Sequence, residues 1–353
     1  MTKRPKLFDQ IFITCAILTF GLISGCQAES FGSSQSEQIA LKDLPHGMTE
    51  DEAVTLGSLE QIDTYPLYRM VFSADYDTRA AESVFDYTRN IQEPAWGCSL
   101  FAVFGNPDEM LFGRNFDWDI SPGLLLYTDP PGGYASVSMV DIDYLGFGEE
   151  RAFGLPDLPL AELSELLQAP YWPFDGMNET GLAVGMASVP PGNMVEDPTK
   201  ATTDSLMVIR KILDGAATTE QAVEIMMSYN IDMGGGPPLH YLIADKTGQS
   251  ALVEFSEGEV KVVWNSDPWH VATNFLVSET GLNPEGLCWR YGLISRNLAN
   301  KGGELNSKQA MGLLEEVAQG STQWSVVYGM SSGEMHIVMG REYNQVHTLE
   351  IEP

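Results

Sequence analysis

The sequence has few basic residues. It contains 19 Lys and Arg residues against 49 Asp and Glu residues, so the formal net charge is -30 over 353 residues. A surface with this charge repels the phosphate backbone of nucleic acids, and we expect no nucleic-acid partner. It also keeps a protein soluble where salt screens the self-repulsion. Charge alone identifies no substrate.

The sequence also lacks the motifs of common metal and nucleotide sites. Its five histidines include no pair at metal-ligand spacing, and neither a His-Glu-x-x-His nor a P-loop occurs. We therefore expect no metal and no cofactor.

Cysteine is scarce. The chain has four, at positions 15, 26, 98 and 288, and the first two fall in the N-terminal signal described next. In an exported protein the remaining two, Cys98 and Cys288, are candidates for a single disulfide. That bond would consume the Cys98 thiol, so the disulfide and a reactive thiol are alternatives that thiol titration separates.

Only one long apolar run occurs, over residues 11–23, after a basic start. It is short for a membrane span and is typical of a signal peptide. It ends in Leu-Ile-Ser-Gly-Cys, which resembles a bacterial lipobox and implies cleavage before Cys26 and lipid attachment to its thiol. An ordinary secretory signal is the alternative. We expect a lipoprotein signal peptide over residues 1–25 and an exported bacterial protein, anchored to the membrane on the periplasmic or cell-surface side.

The segment that follows the signal divides into two parts. Residues 26–48 are rich in Ser, Gln and Glu and predict a flexible tether. Residues 49–97 predict a structured pro-segment. Its predicted elements are a helix over 49–61 capped by Thr49, an edge strand over 65–72 and a helix over 78–89.

Two aromatic-rich runs, 97–104 and 111–118, flank Asn-Pro-Asp-Glu and predict a β-hairpin. Pairing across that turn sets Gly105 opposite Met110 and Cys98 opposite Asp117, so that thiol and carboxylate share a face.

Arg114 would then need a bulge near Gly113 to reach the same face. A thiol beside a cation or base can act as a nucleophile. A small buried hydrophobe is the structural alternative for Cys98.

Beyond the hairpin, residues 160–168 predict a short amphipathic helix, and runs of strands and helix pairs predict an α+β layered domain. Four stretches occur in an order that resembles one family: Cys98 with Gly-Arg-Asn-Phe-Asp at 113–117, Asp-Gly-Met-Asn-Glu-Thr-Gly-Leu at 175–182, Thr-Asn at 273–274 and Trp-Arg-Tyr at 289–291. The family is the choloylglycine hydrolase type of N-terminal-nucleophile (Ntn) amide hydrolases. It includes bile-salt hydrolases, penicillin V acylases and the acid-ceramidase and N-acylethanolamine amidase branch. The resemblance implies a four-layer αββα Ntn-hydrolase fold with a catalytic domain over residues 98–353.

The resemblance also implies roles for individual residues. Cys98 would attack the Gly97 carbonyl, become a new N-terminus, and serve as nucleophile and, through its α-amine, as base. Asp117 would hold that amine and Arg114 would polarise the thiol. Asn274 would donate to the oxyanion, and Arg290 would complete the charge network or touch substrate. A turn cap for Asn274, and structural ion pairs or a helix-face charge for the others, are the alternatives.

One stretch departs from the family pattern. Where many relatives carry an oxyanion-binding Asn, this chain has Ala187-Ser188, so Ser188 or a backbone N–H would donate instead. Asn178 is a further substrate-binding candidate, although Asn-Glu-Thr-Gly is more typical of a turn.

The predicted function is hydrolysis of a linear amide C–N bond in a small N-acyl substrate, through a thioester on Cys98 after self-cleavage at Gly97–Cys98. An acyltransferase on the same scaffold and a non-catalytic, lipid-anchored binding protein are the alternatives. Homo-oligomerisation stays open.

Overall fold

A computed structural model describes residues 44–77, 97–119, 121–192, 196–234, 236–281 and 284–351. The predicted signal peptide, Cys26, most of the predicted tether and the helix predicted over 78–89 lie outside these residues. In the described part of the chain, no helix is both long and apolar enough to cross a membrane.

Seventeen strands occur within the described residues. In chain order they are β1 Glu60–Asp63, β2 Leu67–Phe72, β3 Ser99–Val103, β4 Leu111–Asp117, β5 Gly123–Thr128, β6 Ser136–Asp141, β7 Pro173–Asn178, β8 Ala183–Ser188, β9 Ala201–Asp204, β10 Tyr229–Asp232, β11 Leu239–Ala244, β12 Ser250–Ser256, β13 Glu259–Trp264, β14 Trp269–Ala272, β15 Thr322–Gly329, β16 Glu334–Met339 and β17 His347–Glu350.

The helices are fewer and mostly short. The α-helices in the same residues are α1 Glu50–Gly57, α2 Met207–Gly215, α3 Thr219–Met227, α4 Trp289–Lys301 and α5 Ser307–Glu316. Short 3-10 helices follow β6, among them Leu160–Glu162 and Ser164–Tyr171.

Two large sheets organise the described part of the molecule, and β9 and β10 form a separate two-stranded sheet. One has nine strands in the order β1-β2-β5-β6-β7-β8-β11-β12-β13, and the other has six in the order β14-β3-β4-β15-β16-β17. Helices α2 and α3 pack on the nine-stranded sheet, α4 and α5 pack on the six-stranded sheet, and β3 contacts β8 and β11 across the space between the sheets. The architecture is therefore the four-layer αββα arrangement that the resemblance implied.

Alternation along β3 shows how the layers form. Leu100 belongs to the apolar core between the two sheets, whereas its neighbour Phe101 packs in a second core against α4 and α5. A strand covered on both faces is largely apolar, and all five residues of β3 are buried. Gly113 faces Phe101 so closely that a Cβ there would lie 2.4 Å from the ring, which explains a glycine within β4.

The N-terminal segment is part of this fold. Strand β2 pairs in parallel with β5 from Leu67 opposite Gly123 to Phe72 opposite Thr128, and β1 pairs with β2. Thr49 caps α1 as predicted, in a capping box with Glu52, but the helix ends at Gly57 and not at residue 61, because β1 begins at Glu60. The predicted strand is correct, but its place at the edge of the sheet is wrong, because β1 covers it on the outer side.

Other elements differ from the predictions in kind. The amphipathic helix predicted over residues 160–168 is a pair of 3-10 helices, the second of which contains Pro170. Strands β1, β9, β10 and β14 were not predicted. Each is only four residues long and too short to show a clear period.

The hairpin is present, but its predicted register is wrong by one residue. Ser99 pairs with Asn115 and Leu100 with Arg114, and this register continued outward sets Cys98 opposite Phe116 and Gly97 opposite Asp117. Cys98 and Arg114 therefore share a face without a bulge at Gly113. The irregularity lies in the neighbouring strand β15, between Thr322 and Trp324, beside Asp117.

Candidate active site

The backbone of Cys98 is held on both sides at the start of β3. Its N–H donates to Asn274 Oδ1 at 2.8 Å, and its carbonyl accepts from Arg290 Nη1. Arg290 Nη1 also donates to Ser99 Oγ at 2.9 Å, and Nη2 donates to Asn274 Oδ1 at 2.8 Å. One arginine thus ties the residue that carries the thiol to the residue predicted to bind the oxyanion.

These contacts also determine the orientation of the Asn274 amide. Because two N–H donors point at one atom, that atom must be the oxygen. The amide nitrogen then donates to Ser188 O at 2.8 Å and to Ser188 Oγ at 3.1 Å. Ser188 lines the pocket described below, so the Asn274 amide directly contacts one residue of the pocket lining.

The Cys98 thiol is buried and free. The residue is 4% exposed, and neither Cys98 nor Cys288 forms a disulfide, so the predicted alternative of a Cys98–Cys288 bond is wrong. Burial raises the pKa of the thiol above its usual value, and nearby Asp117 acts in the same direction. The Arg114 guanidinium and the Asp117 backbone N–H oppose this by favouring the thiolate.

Arg114 is completely buried and paired with an acid that the sequence reasoning did not single out. Its Nη1 forms an ion pair with Asp175 Oδ2 and donates to Phe174 O at 2.8 Å. Asp175 also accepts from Tyr328 OH at 2.6 Å and from Trp324 Nε1 at 3.3 Å. The charge beside the thiol is thereby fixed from the opposite sheet. The available signal in the sequence was an acidic residue among mostly apolar neighbours, in the stretch that forms β7.

Asp117 lies at the end of β4 beside Gly97 and is 1% exposed. Oδ1 accepts from Thr322 Oγ1, and Oδ2 accepts from Gln319 Nε2 at 2.6 Å. Burial raises the pKa of this carboxyl, whereas the Thr322 and Gln319 hydrogen bonds lower it. No sequence pattern pointed to Gln319 or Thr322, which follow α5 and lie about 200 residues after Asp117 in the chain.

A pocket opens beside the thiol. Phe116 and Phe174 contact each other there at 5.3 Å between ring centroids. Every described side chain that lines the pocket is uncharged; they are Cys98, Phe116, Trp118, Tyr144, Phe174, Met186, Ser188, Ser205, Leu206, Met233, Pro237 and Leu239. The cavity volume is about 50 Å³, which is small beside the roughly 300–1,000 Å³ of typical ligand sites, but its lining is apolar. The pocket therefore suits an apolar group.

Asn178 lies outside this cluster. Its amide nitrogen donates to Leu213 O at 2.9 Å and to Ala216 O at 2.7 Å, and its oxygen accepts from the Thr180 and Leu182 backbones. All of its hydrogen-bonding capacity serves the β7–β8 turn and its contact with α2. This geometry supports the turn interpretation rather than substrate binding.

In the part of the chain that the structure describes, no three His, Cys, Asp or Glu side chains are grouped so that they could hold a metal ion. The sequence-predicted residues Cys98, Arg114, Asp117, Asn274 and Arg290 do converge, together with Ser188.

Solved structures that resemble this fold include two amide hydrolases. One is a penicillin V acylase from Agrobacterium tumefaciens, 15% identical with a TM-score of 0.50, over 72% of this chain and 86% of that one. The other is a variant of the conjugated bile acid hydrolase from Clostridium perfringens, 15% identical with a TM-score of 0.50, over 72% of this chain and 92% of that one. At this identity the likeness concerns the fold, which is that of the Ntn-hydrolases.

The family model that matches is that of the linear amide C-N hydrolases, choloylglycine hydrolase family. It matches residues 98–284, which are more than half of the chain, and the match begins at Cys98. The chain therefore belongs to the choloylglycine hydrolase family of linear amide C-N hydrolases.

Proposed function

We propose that this chain is a cysteine amide hydrolase that cuts its own Gly97–Cys98 bond and then hydrolyses N-acyl amides through a thioester on Cys98. One observation carries the proposal. The Cys98 thiol lies at the wall of an apolar pocket, while Asn274 and Arg290 hold the backbone N–H and C=O of the same residue.

The maturation step is an acyl shift followed by hydrolysis. Cys98 Sγ attacks the Gly97 carbonyl carbon and forms a tetrahedral adduct. The C–N bond then breaks, and the thiol proton passes to the departing nitrogen. Water hydrolyses the resulting thioester to a Gly97 carboxylate and regenerates the thiol. The Cys98 nitrogen is now an α-amine with an ordinary pKa of about 7.7–8.0, which suits a base near neutral pH.

Turnover repeats this chemistry on a substrate. The α-amine takes the thiol proton as Sγ attacks the acyl carbon, and it returns that proton to the leaving amine. The thiol's pKa is raised by burial, so the proton transfer needs Arg114 beside the sulfur to favour the thiolate. To stabilise the oxyanion, the Asn274 amide exchanges one of the two hydrogen bonds that it donates to Ser188 for one to the substrate oxygen, and Ser188 supplies a second donor. Asp117 and Arg290 orient the nucleophilic residue.

The pocket indicates which part of the substrate is recognised. Its described lining has aromatic and methionine side chains and offers no charge to pair with an anionic group. This lining favours an apolar acyl group, because burying an unpaired charge in such surroundings is costly. Acyl transfer to an amine would use the same thioester and would differ only in its product.

The test is the N-terminus and intact mass of the purified protein. We expect the wild type to contain a piece that begins at Cys98, and Cys98→Ala to remain whole and inactive towards a series of acyl p-nitroanilides. Cys288→Ala is the matched control, which we expect to cut and to turn over like the wild type. A wild-type chain that stays intact refutes self-cleavage. A cut chain that neither hydrolyses nor transfers the acyl group favours the binding protein.

The segment before the cut is proposed to stay bound. It supplies β1 and β2 to the nine-stranded sheet, and buried Leu56, Leu67 and Met70 each contribute about 1.5–3 kcal/mol of burial. Asp63 Oδ2 contacts His347 Nε2 at 2.6 Å, and Tyr65 OH donates to Gln323 Oε1 at 2.7 Å.

With lipid on Cys26, this segment would anchor the catalytic piece without a covalent bond. We expect the piece that begins at Cys98 to sediment with membranes after the cut, and Cys26→Ala to release both pieces. Loss of the catalytic piece alone from wild-type membranes would contradict retention of the segment.

A further inference from the structure

Gln319 lies in the turn between α5 and β15 and closes a small network around Asp117. Its side-chain Nε2 donates to Asp117 Oδ2 at 2.6 Å, and its backbone N–H donates to Thr322 Oγ1 at 2.8 Å. Thr322 Oγ1 donates in turn to Asp117 Oδ1. Both carboxylate oxygens of Asp117 are therefore held by one turn.

The same amide lies against Gly97. A Cβ built on Gly97 would fall 1.7 Å from Gln319 Nε2 and 3.1 Å from Asp117 Oδ2, and real Cβ atoms essentially never approach a heavy atom within 3.0 Å. A side chain at position 97 and the Gln319–Asp117 hydrogen bond thus compete for one volume.

We propose that Gln319 is a positioning residue for self-cleavage: it holds Asp117 beside the Gly97–Cys98 bond and makes glycine the residue required at position 97. This inference rests on the proposed function, because it concerns the bond cut during maturation. The Gln319 side chain is half-buried and can move, but only by releasing Asp117. A larger residue at position 97 would therefore act through Asp117 as well as by crowding.

The proposal predicts that substitutions at positions 97 and 319 are not additive. Full-length chains made by cell-free translation are followed over time for appearance of the shorter piece. We expect Gly97→Ala and Gln319→Ala each to slow cleavage by about tenfold to a hundredfold, since each removes a hydrogen bond to a charged group. We expect the double variant to cleave no more slowly than Gln319→Ala, because alanine at 319 leaves room for a methyl group at 97.

Gly320→Ala is the matched control. It adds the same methyl group one residue from Gln319, where a Cβ would meet nothing within 4 Å, and we expect cleavage at the wild-type rate. A second readout is the pH dependence of cleavage. Asp117 faces Arg114, Arg290 and Cys98 as well as Gln319. Loss of the Gln319 donor removes an interaction that lowers the Asp117 pKa, so the acid limb should move to higher pH.

Two outcomes overturn the inference while leaving self-cleavage intact. One is wild-type cleavage by Gly97→Ala, and the other is a double variant slowed by the product of the two single effects. An uncut wild type refutes the proposed maturation itself. In that case the two single variants and the double variant are compared in a Cys98→Ala chain by their midpoints of thermal unfolding. If the shifts of the two single variants add up to the shift of the double variant, the steric coupling between positions 97 and 319 is overturned.

Discussion

Replacing Asp175 by leucine is expected to lower the free energy of unfolding by about 3–5 kcal/mol, the range for removing one partner of a buried ion pair. Arg114 and Asp175 are both 0% exposed, so the guanidinium would be left charged in a desolvated site without the carboxylate that pairs with it. Tyr328 OH and Trp324 Nε1 would lose their acceptor in the same step. The expected loss of unfolding free energy is thus larger than the loss from the missing ion pair alone.

The measurement is urea unfolding in a Cys98→Ala background, in which every molecule is expected to be one uncut chain. Asp175→Asn keeps the shape and part of the hydrogen bonding and should lose less. Glu60→Ala is the matched control. It breaks an exposed ion pair with Arg69, and such pairs contribute about 0–1 kcal/mol. If Asp175→Leu were no more destabilising than Glu60→Ala, the buried Arg114–Asp175 pair would not stabilise the fold as its burial predicts.

Replacing Asn274 by alanine is expected to lower kcat by about 10²–10³, the usual loss when one oxyanion donor is removed. The KM for an acyl p-nitroanilide should change little, because the donor acts mainly in the transition state. The amide nitrogen contacts Ser188, a residue of the pocket lining, and Arg290 determines which way the amide faces.

Asn274 also accepts from the Cys98 N–H, so the variant is expected to cut more slowly. Turnover is therefore expressed per mole of cut chain, measured by intact mass. Asn306→Ala serves as control: it removes an exposed helix cap far along the chain and should cost about 1 kcal/mol of stability without changing kcat. A kcat for Asn274→Ala within threefold of the wild type would exclude Asn274 as an oxyanion donor.

Much of the hairpin was predictable, and its one error has an identifiable cause. The pattern of apolar residues places β3 and β4 correctly, but the prediction assumed a four-residue turn with Gly105 opposite Met110. In the structure other strands and loops take those residues. Phe104 N–H donates to Pro268 O, Gly105 N–H to Gly303 O, and Met110 O accepts from Met330 N–H. The true connection is longer, and the register moves by one residue.

The candidate site was predictable to the extent that each residue follows a local motif. Cys98 opens a strand, Arg114 and Asp117 follow in the hairpin, and Asn274 and Arg290 come in family order. Asp175, Gln319 and Thr322 have no comparable local pattern. Each of them acts through a contact with a residue that is distant in the sequence. Asp175 lies 61 positions from Arg114, and Gln319 and Thr322 lie 202 and 205 positions from Asp117.

The sequence by itself determined the elements and the chemistry available to them. Alternation, capping and turn residues act over a few positions, so the helix capped by Thr49, the hairpin and most other strands follow from short stretches of chain. Only the tertiary structure decided which groups meet. Parallel pairing of β2 with β5, the Arg114–Asp175 pair and the hold of Gln319 on Asp117 depend on long-range packing of two sheets. Such contacts form only once the two sheets pack against each other, because hydrogen bonds and ion pairs are stronger where water is excluded.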